Sequence, residues 1–296
     1  MSGSMEPHQL EEEPKDESSM EEVLSPEKLA LPQDPEGSSL PLTARAATPS
    51  SQSDEGSIIS GEESVFPSEV LPVVESLMGY PIQGKVADLL AFLFFKYRKK
   101  EMTSQAEMLQ GLFQGCEENF PEVFSMVSEC LYVVFGIDVK KVSPTSHCYV
   151  LIPALGLSFD GMLDEMPSFP RTTVLLIILG VIYIRGNHAS EEAIWEVLGE
   201  IGVFPGIEHV IYGEPWKFVT QTLVIEHYLE YRQVPDSDPP EYGFVWGPRA
   251  LVETTKLSVL EFLARVKDTV PSSFNVWYEA ALREEEEKFQ PPDLPL

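Results

Sequence analysis

The feature that most restricts the fold is an order of elements that occurs twice after Lys85: three helices followed by two short strands. In the first copy, apolar residues recur at helical spacing over Val86–Tyr97, which predicts a helix with one buried face. Ser104 and Glu107 have the spacing of a capping box and predict the start of a second helix. A third helix is predicted over about Pro121–Phe135, where apolar residues again share one side.

Two strand-like runs follow the third helix. Residues alternate with a period of two over Ile137–Val142 and His147–Ile152, and the Ser-Pro-Thr-Ser sequence between these runs predicts a hairpin loop. Three helices and a hairpin form the order of a winged-helix module, a variant of the helix-turn-helix architecture.

The second copy begins with a segment that is apolar all round, Val174–Ile184. As a helix it would be about 16 Å long, far short of the roughly 30 Å hydrocarbon core of a bilayer. We therefore expect a buried helix, with a parallel-sheet strand as the alternative because of the β-branched residues. Ser190 predicts the start of the next helix, and a third is expected over Pro215–Val224. The strand-like runs that follow are Tyr228–Val234 and Glu241–Trp246.

Two further helices are predicted after the second hairpin. One covers roughly Ala250–Val266, and the other carries Phe274 and Trp277 at helical spacing. The fold class is therefore mainly α with small β-hairpins (α+β), built as tandem winged-helix modules. The predicted domains are a disordered acidic arm (1–80), module A (81–155), an inter-module linker (156–170), module B (171–283) and an acidic, proline-containing tail (284–296).

The predicted arm differs sharply in composition from the rest of the chain. Before Lys85 the chain contains 17 acidic and 3 basic residues, and the aromatic residues there are Phe66 and Tyr80. A segment this poor in apolar side chains cannot bury enough surface to offset the entropy of ordering. We therefore predict that residues 1–80 are disordered.

The net charge of the whole chain limits the classes of molecule that the protein can bind. Asp and Glu number 48 against 20 Lys and Arg, which gives a net charge of −28. Binding to DNA, RNA or an anionic membrane depends on clustered cations, so we expect no nucleic-acid or membrane partner. The three cysteines offer no disulfide framework, and the N-terminal residues lack the apolar run of a secretory signal. We expect a soluble intracellular protein.

A winged helix can bind DNA through its third helix, so the side chains of that helix bear on this function. The predicted helix Pro121–Phe135 contains no Lys or Arg and carries Glu122 and Glu129, while its counterpart in module B offers only Lys217 and Gln221. Base and phosphate contacts require Arg, Lys, Asn or Gln at these positions. DNA binding is therefore ranked third, after the two protein-binding functions described below.

An enzymatic function finds no support in the motifs. Cys116, Cys130 and Cys148 are too far apart for a Cys-x-x-Cys metal site, and His147 and Cys148 are neighbours on a predicted strand, where their side chains point to opposite faces. Phosphate-binding glycine loops and nucleophile elbows are missing from the sequence. We expect a protein that is not an enzyme and that uses no cofactor or metal.

Seven short motifs, in the same order, resemble the MAGE family of melanoma-associated antigens, and the resemblance extends over about Lys85–Leu282. These motifs are VFGIDVKKV (134–142), FDGML (159–163), IWEVL (194–198), YGEP (212–215), YLEYRQVP (228–235), FVWGPRA (244–250) and WYEAAL (277–282). The resemblance implies a MAGE homology domain of two winged-helix units that binds RING-type ubiquitin ligases and helps present substrate proteins. It also implies transcriptional repression through co-repressor and histone deacetylase partners, and residence in the nucleus and cytoplasm.

The resemblance further implies a ligase contact at a pair of leucines on the first helix. In this chain the matching segment contains Phe92, Leu93, Phe94 and Phe95, so the pair becomes Leu93 and Phe94. Helical geometry places Leu93 within the core stripe, Phe94 at its flank and Phe95 nearly opposite. We expect the partner contact mainly at Phe94 and Phe95, with Phe92 in support, and packing between the modules is the alternative.

The linker between the modules contains Gly156, Gly161, Pro167 and Pro170, which is typical of a hinge, and its acidic residues, including Asp160, are expected to be solvated.

The leading hypothesis is a non-enzymatic adaptor that binds a RING-type ubiquitin ligase and docks a substrate peptide between the modules. The alternative is a transcriptional co-repressor that acts through deacetylase or co-repressor proteins.

Overall fold

Helical structure begins before the point that composition predicts. The computed structural model describes residues 69–162, 168–233, 238–240 and 242–289. Helix α1 (Val70–Met78) buries Val70 and Val74 completely and ends at Gly79, whose positive φ of 73° suits glycine. The predicted boundary at residue 80 is therefore wrong, because two valines four positions apart dock this helix on the core. The rest of the predicted arm, residues 1–68, lies outside the described residues.

Module A has the predicted order of elements. Its parts are α2 (Lys85–Arg98), β1 (Thr103–Ser104), α3 (Gln105–Leu112), α4 (Phe120–Cys130), β2 (Ile137–Lys141) and β3 (Cys148–Pro153). The Ser104 side chain accepts a hydrogen bond from the Glu107 backbone N–H at 3.1 Å, which confirms the predicted helix start. A π-helical turn, Leu131–Phe135, extends α4 as far as predicted, and the antiparallel sheet has the order β1-β3-β2.

Module B repeats this order and continues into further helices. Its parts are α5 (Thr172–Ile184), α6 (Glu191–Gly199), α7 (Pro215–Lys217), α8 (Leu223–Ile225), β4 (Leu229–Gln233), β5 (Tyr242–Trp246), α9 (Pro248–Glu253), α10 (Lys256–Val266) and α11 (Val276–Phe289). A π-helical turn, Phe218–Thr222, joins α7 to α8 along the third predicted helix. Strands β4 and β5 pair as an antiparallel hairpin.

The apolar segment for which a helix and a strand were both considered forms a helix, α5. All residues from Thr172 to Tyr183 are buried, because the π-helical turn after α4, together with α6, α10 and β5, surrounds the helix. Its contact with α10 is close, since a Cβ built on Gly180 would overlap the Leu263 side chain. The absence of a side chain at this position lets the two helices approach.

Two predicted boundaries in module B are wrong. The single helix expected over Ala250–Val266 is divided into α9 and α10, because Thr254 is extended and the Thr255 hydroxyl caps a new helix by accepting from the Ser258 N–H at 3.1 Å. The acidic run expected to begin a solvated tail at residue 284 continues α11, and Lys256 binds Glu284 there at 2.8 Å. Residues 290–296 lie outside the described residues.

The two modules share one apolar core. The Tyr212 hydroxyl donates to the Val134 carbonyl at 2.7 Å, and the Tyr132 and Phe262 ring centroids are 5.2 Å apart. At the surface the Arg265 guanidinium forms a bidentate ion pair with Glu129 and stacks on Tyr132. All described residues fall within one compact unit. None of the described helices combines the length and apolar character needed to cross a bilayer.

Candidate functional site

The aromatic segment of α2 is divided between the core and the surface. Leu93 and Phe94 are buried, with 0% and 1% of their surface exposed. The Phe94 ring lies 4.8 Å from the Phe169 ring and 5.8 Å from the Phe135 ring, measured between centroids. The expectation of an accessible Phe94 is therefore wrong, because the segment that leads into α5 covers this flank of α2.

Phe92 and Phe95 are half-buried and remain partly accessible. Phe92 packs against the core, whereas Phe95 is not among the residues that pack on it. The Lys96 ammonium lies 5.6 Å from the centroid of Phe92, and the Lys99 ammonium lies 4.1 Å from that of Phe95. These distances permit cation–π attraction. We call the surface formed by Phe92 and Phe95 the α2 ridge.

The lysines beside the ridge differ in their acidic neighbours. Lys96 pairs with Glu107 at 2.7 Å and with Glu101 at 3.2 Å. The hydrogen bond between Lys96 and Glu107 raises the pKa of the lysine and lowers that of the glutamate. Lys100 pairs with Asp160 at 3.5 Å. Lys99 has no carboxylate within ion-pair distance among the described residues.

The start of the linker, residues 157–162, is fixed to module A by Asp160. Its carboxylate accepts from the Tyr97 hydroxyl at 2.6 Å and from the Met162 N–H at 2.9 Å. The side chain is only 13% exposed, so the expectation that Asp160 is solvated is wrong. Burial and the hydrogen bond to Asp160 raise the pKa of Tyr97.

The same segment is fixed to module B by Glu253. This carboxylate accepts from the Ser158 N–H at 2.9 Å, from the Tyr228 hydroxyl at 2.5 Å and from the Arg249 guanidinium at 2.9 Å. Burial acts against ionisation, but the hydrogen bonds from Ser158, Tyr228 and Arg249 outweigh it and lower the pKa of Glu253 to about 2. We call residues 157–162, held from both sides, the strap. Residues 163–167 of the predicted hinge lie outside the described residues.

A groove of about 690 Å³ lies within module B, between α5, α6, α10 and the start of α11. Its walls are mostly apolar and include Ile177, Val197, Leu263, Phe274 and Trp277. Two ion pairs lie near its rim, Arg185 with Glu196 and Lys267 with Glu200, each at 3.4 Å.

This groove was not predicted from the sequence, which instead indicated a docking cleft between the modules. The prediction of one helix carrying Phe274 and Trp277 is wrong, because Phe274 ends a 3-10 turn (Pro271–Phe274) and α11 begins only after Asn275; both rings nevertheless line the groove. Trp277 keeps 39% of its surface exposed, and its backbone carbonyl accepts from the Tyr183 hydroxyl at 2.8 Å. The groove has the size and apolar lining of a ligand or peptide site.

Few side chains among the described residues are arranged for catalysis. Among these residues, no three His, Cys, Asp or Glu side chains are grouped so that they could hold a metal ion. Cys148 is exposed, and the neighbouring His147 ring contacts Gln105 at 3.2 Å. Cys130 is buried in α4, where burial raises the pKa of its thiol to about 12.

Comparison with known proteins supports the family resemblance seen in the sequence. Residues 158–257 match the family model described as the MAGE homology domain. Human melanoma-associated antigen 10 is 51% identical over 245 residues, which cover 83% of this chain and 66% of that protein. Human melanoma-associated antigen 4 is 47% identical over 268 residues, which cover 90% of this chain and 84% of that protein.

A third human relative, melanoma-associated antigen B1, is 44% identical and covers 88% of this chain and 75% of that protein. A solved structure titled "Nse1-Nse3-Nse4 complex" contains a chain that is 32% identical, with a TM-score of 0.35, and the match covers 73% of this chain and 100% of the other. The human melanoma-associated antigens 4 and B1, which are 47% and 44% identical and are matched over 84% and 75% of their own length, show the family: this chain belongs to the MAGE proteins, the melanoma-associated antigens.

Proposed function

We propose that this MAGE protein is a non-enzymatic adaptor that binds a RING-type ubiquitin ligase and alters the ligase's activity or its choice of substrate. In this proposal the α2 ridge contacts the ligase, and the module B groove holds a segment of a second protein. The protein acts in the nucleus and the cytoplasm, where its partners would be found.

The observation that carries the proposal is the partly exposed Phe95 ring on a helix whose other large rings are anchored in the core. Covering apolar surface is favourable by roughly 25 cal/mol per Å², and aromatic residues are enriched at the energetic centres of protein interfaces. A rigid helix presents the ring at low entropic cost. The ridge therefore has the properties of a protein contact.

The groove supports a second, separate contact. The ridge belongs to module A and the groove to module B, and the shared core fixes one module to the other. Two partners bound at these places would be held at a defined separation. That arrangement is what an adaptor requires when it brings a substrate to a ligase.

Reconstituted ubiquitination tests the proposal. Purified RING ligases are assayed with the full chain, and ligase capture is compared for the native protein and for the Phe92→Ala/Phe95→Ala variant. We expect capture to weaken about tenfold or more, as for central aromatic contacts. The matched control is Ile225→Ala, at a residue that is 72% exposed on α8. Undiminished capture by the double variant would contradict the assignment of the ridge.

A second variant separates the two contacts. Trp277→Ala removes a wall of the groove, so we expect ligase capture to persist while capture and ubiquitination of the second protein are lost. Val276→Ala, at an exposed neighbour that does not line the groove, is the control. Unchanged ubiquitin transfer together with recovery of a histone deacetylase complex would favour the co-repressor function instead.

A further inference from the structure

Positive charge is concentrated at the C-terminal end of α2. Lys96, Arg98, Lys99 and Lys100 supply four of the chain's 20 cationic residues within five positions, although the net charge of the chain is −28. The helix dipole favours cations in the last turn, which contains Lys96 and Arg98. Lys99 is the C-cap of the helix and Lys100 follows it, so the cluster extends past the last turn.

Only part of this charge is neutralised within the protein. Lys96 pairs with Glu101 and Glu107, and Lys100 pairs with Asp160. Arg98 and Lys99 are exposed, and neither has a carboxylate within 4 Å among the described residues. Two cations are thus available to an incoming group.

Arg98 and Lys99 follow Phe95 by three and four positions, the spacing at which residues of a helix share one face. The Lys99 ammonium is held 4.1 Å from the centre of the Phe95 ring, and its backbone N–H donates to the Phe95 carbonyl at 3.1 Å. A ligand that covers Phe95 would therefore also meet the Lys99 ammonium. Pairing a carboxylate with this ammonium would gain more in a partly covered site than in open water.

We propose that the ridge and its two available cations bind an acidic, apolar segment of a protein partner, with an apolar side chain on Phe95 and carboxylates at Arg98 and Lys99. The inference rests on the proposed function, because it specifies the chemistry of the ligase surface that the ridge binds. A polypeptide fits better than a nucleic acid, because two available cations release few counterions and the acidic chain repels an extended polyanion.

Two synthetic peptides of equal length provide the test. Both carry a central Leu-Leu-Phe sequence, flanked by glutamates in one peptide and by lysines in the other, and binding to the full chain is measured by fluorescence anisotropy. We expect the glutamate peptide to bind the native chain more tightly. Its affinity should fall about tenfold in the Arg98→Glu/Lys99→Glu variant, and it should also fall when NaCl is raised from about 0.05 to about 0.4 M.

Lys85→Glu is the matched control, since Lys85 is an exposed cation at the opposite end of α2. This change should leave the affinity of the glutamate peptide nearly unaltered. Equal or tighter binding of the lysine peptide, or unchanged affinity in the double variant, would overturn the proposal. Tighter binding of a short DNA duplex that depends on Arg98 and Lys99 would also overturn it.

Ligase capture distinguishes this proposal from the function on which it rests. If the Arg98→Glu/Lys99→Glu variant captures the ligase normally while Phe92→Ala/Phe95→Ala does not, the charge proposal is wrong and the ridge assignment stands. If Phe92→Ala/Phe95→Ala also captures the ligase normally, the ridge assignment itself is wrong. We expect both variants to lose capture, with only the charge variant changing its dependence on salt.

Discussion

At the scale of single residues, two adjacent phenylalanines on α2 have opposite environments. Phe94 is buried between Phe135 and Phe169, whereas the Phe95 ring is partly exposed beside Lys99. Successive helical residues differ by about 100° around the axis, so one step is enough to move a ring from the core to the surface. The identity of the residue alone does not decide its role.

This difference predicts different losses of stability. Phe94→Ala should lower the free energy of unfolding by about 3–5 kcal/mol, because it leaves a cavity among packed rings. Phe95→Ala should lower it by less than about 1.5 kcal/mol, since the ring is already partly in water. Urea denaturation followed by circular dichroism measures both. Similar losses for the two variants would show that Phe95 is a core residue.

Glu253 provides a prediction for the dependence of stability on pH. Its pKa is lowered from 4.5 to about 2 in the folded protein, so the folded state binds fewer protons than the unfolded state between these values. The resulting stabilisation is complete above about pH 4.5 and is lost as the pH falls towards 2. It amounts to roughly 3 kcal/mol at neutral pH.

Glu253→Gln keeps the shape of the side chain and removes this titration. Its destabilisation relative to the native chain should be largest at pH 7 and should shrink steadily below about pH 4.5. Urea midpoints across this pH range measure the difference. Glu261→Gln, at an exposed residue of α10, controls for the loss of one negative charge. A difference independent of pH would contradict the role of Glu253 in the strap.

At the scale of secondary-structure elements, the contact of α5 with α10 depends on a glycine. A side chain at Gly180 would overlap Leu263, whereas a Cβ at Gly111 in α3 has no atom within 4 Å. Both glycines lie inside helices, so they separate the effect of packing from that of helix propensity.

Alanine at these two positions should therefore have opposite effects. Gly180→Ala should destabilise the protein by about 1–3 kcal/mol, because overpacking forces the helices apart. Gly111→Ala should stabilise it by about 0.5–1 kcal/mol, because alanine has the higher helix propensity. Thermal unfolding of both variants measures the shifts. Stabilisation by both substitutions would show that α5 and α10 can separate at little cost.

At the scale of the whole molecule, the shared core makes the two winged-helix modules depend on each other. Tyr212 of module B donates to a carbonyl of module A, and Tyr132 packs against Phe262 across the boundary. The strap adds Asp160 on one side and Glu253 on the other. We therefore expect one cooperative unfolding transition.

Separate probes in each module can test this expectation. All four tryptophans lie in module B, while the buried Cys130 lies in module A. In a Cys116→Ser/Cys148→Ser background, labelling of Cys130 and tryptophan fluorescence should give the same urea midpoint. Two distinct midpoints would show that the modules unfold independently.

Local patterns were sufficient to predict most elements. The apolar spacing of α2, the Ser104 cap and the pair of strands β2 and β3 were confirmed, because each depends on neighbours a few residues away. Helix α1 was missed because its two buried valines stand at the edge of an acidic segment that dominates the composition.

The sequence by itself determined the family and the order of helices and hairpins, since periodicity and capping act between residues close in the chain. Only the tertiary structure decided that Phe94 is buried, that Asp160 and Glu253 hold the strap, and that the groove lies within module B. Each of these depends on segments that are distant in sequence and meet only in the folded protein. Burial and desolvation are properties of that assembled surface, and they determine which side chains remain available to a partner.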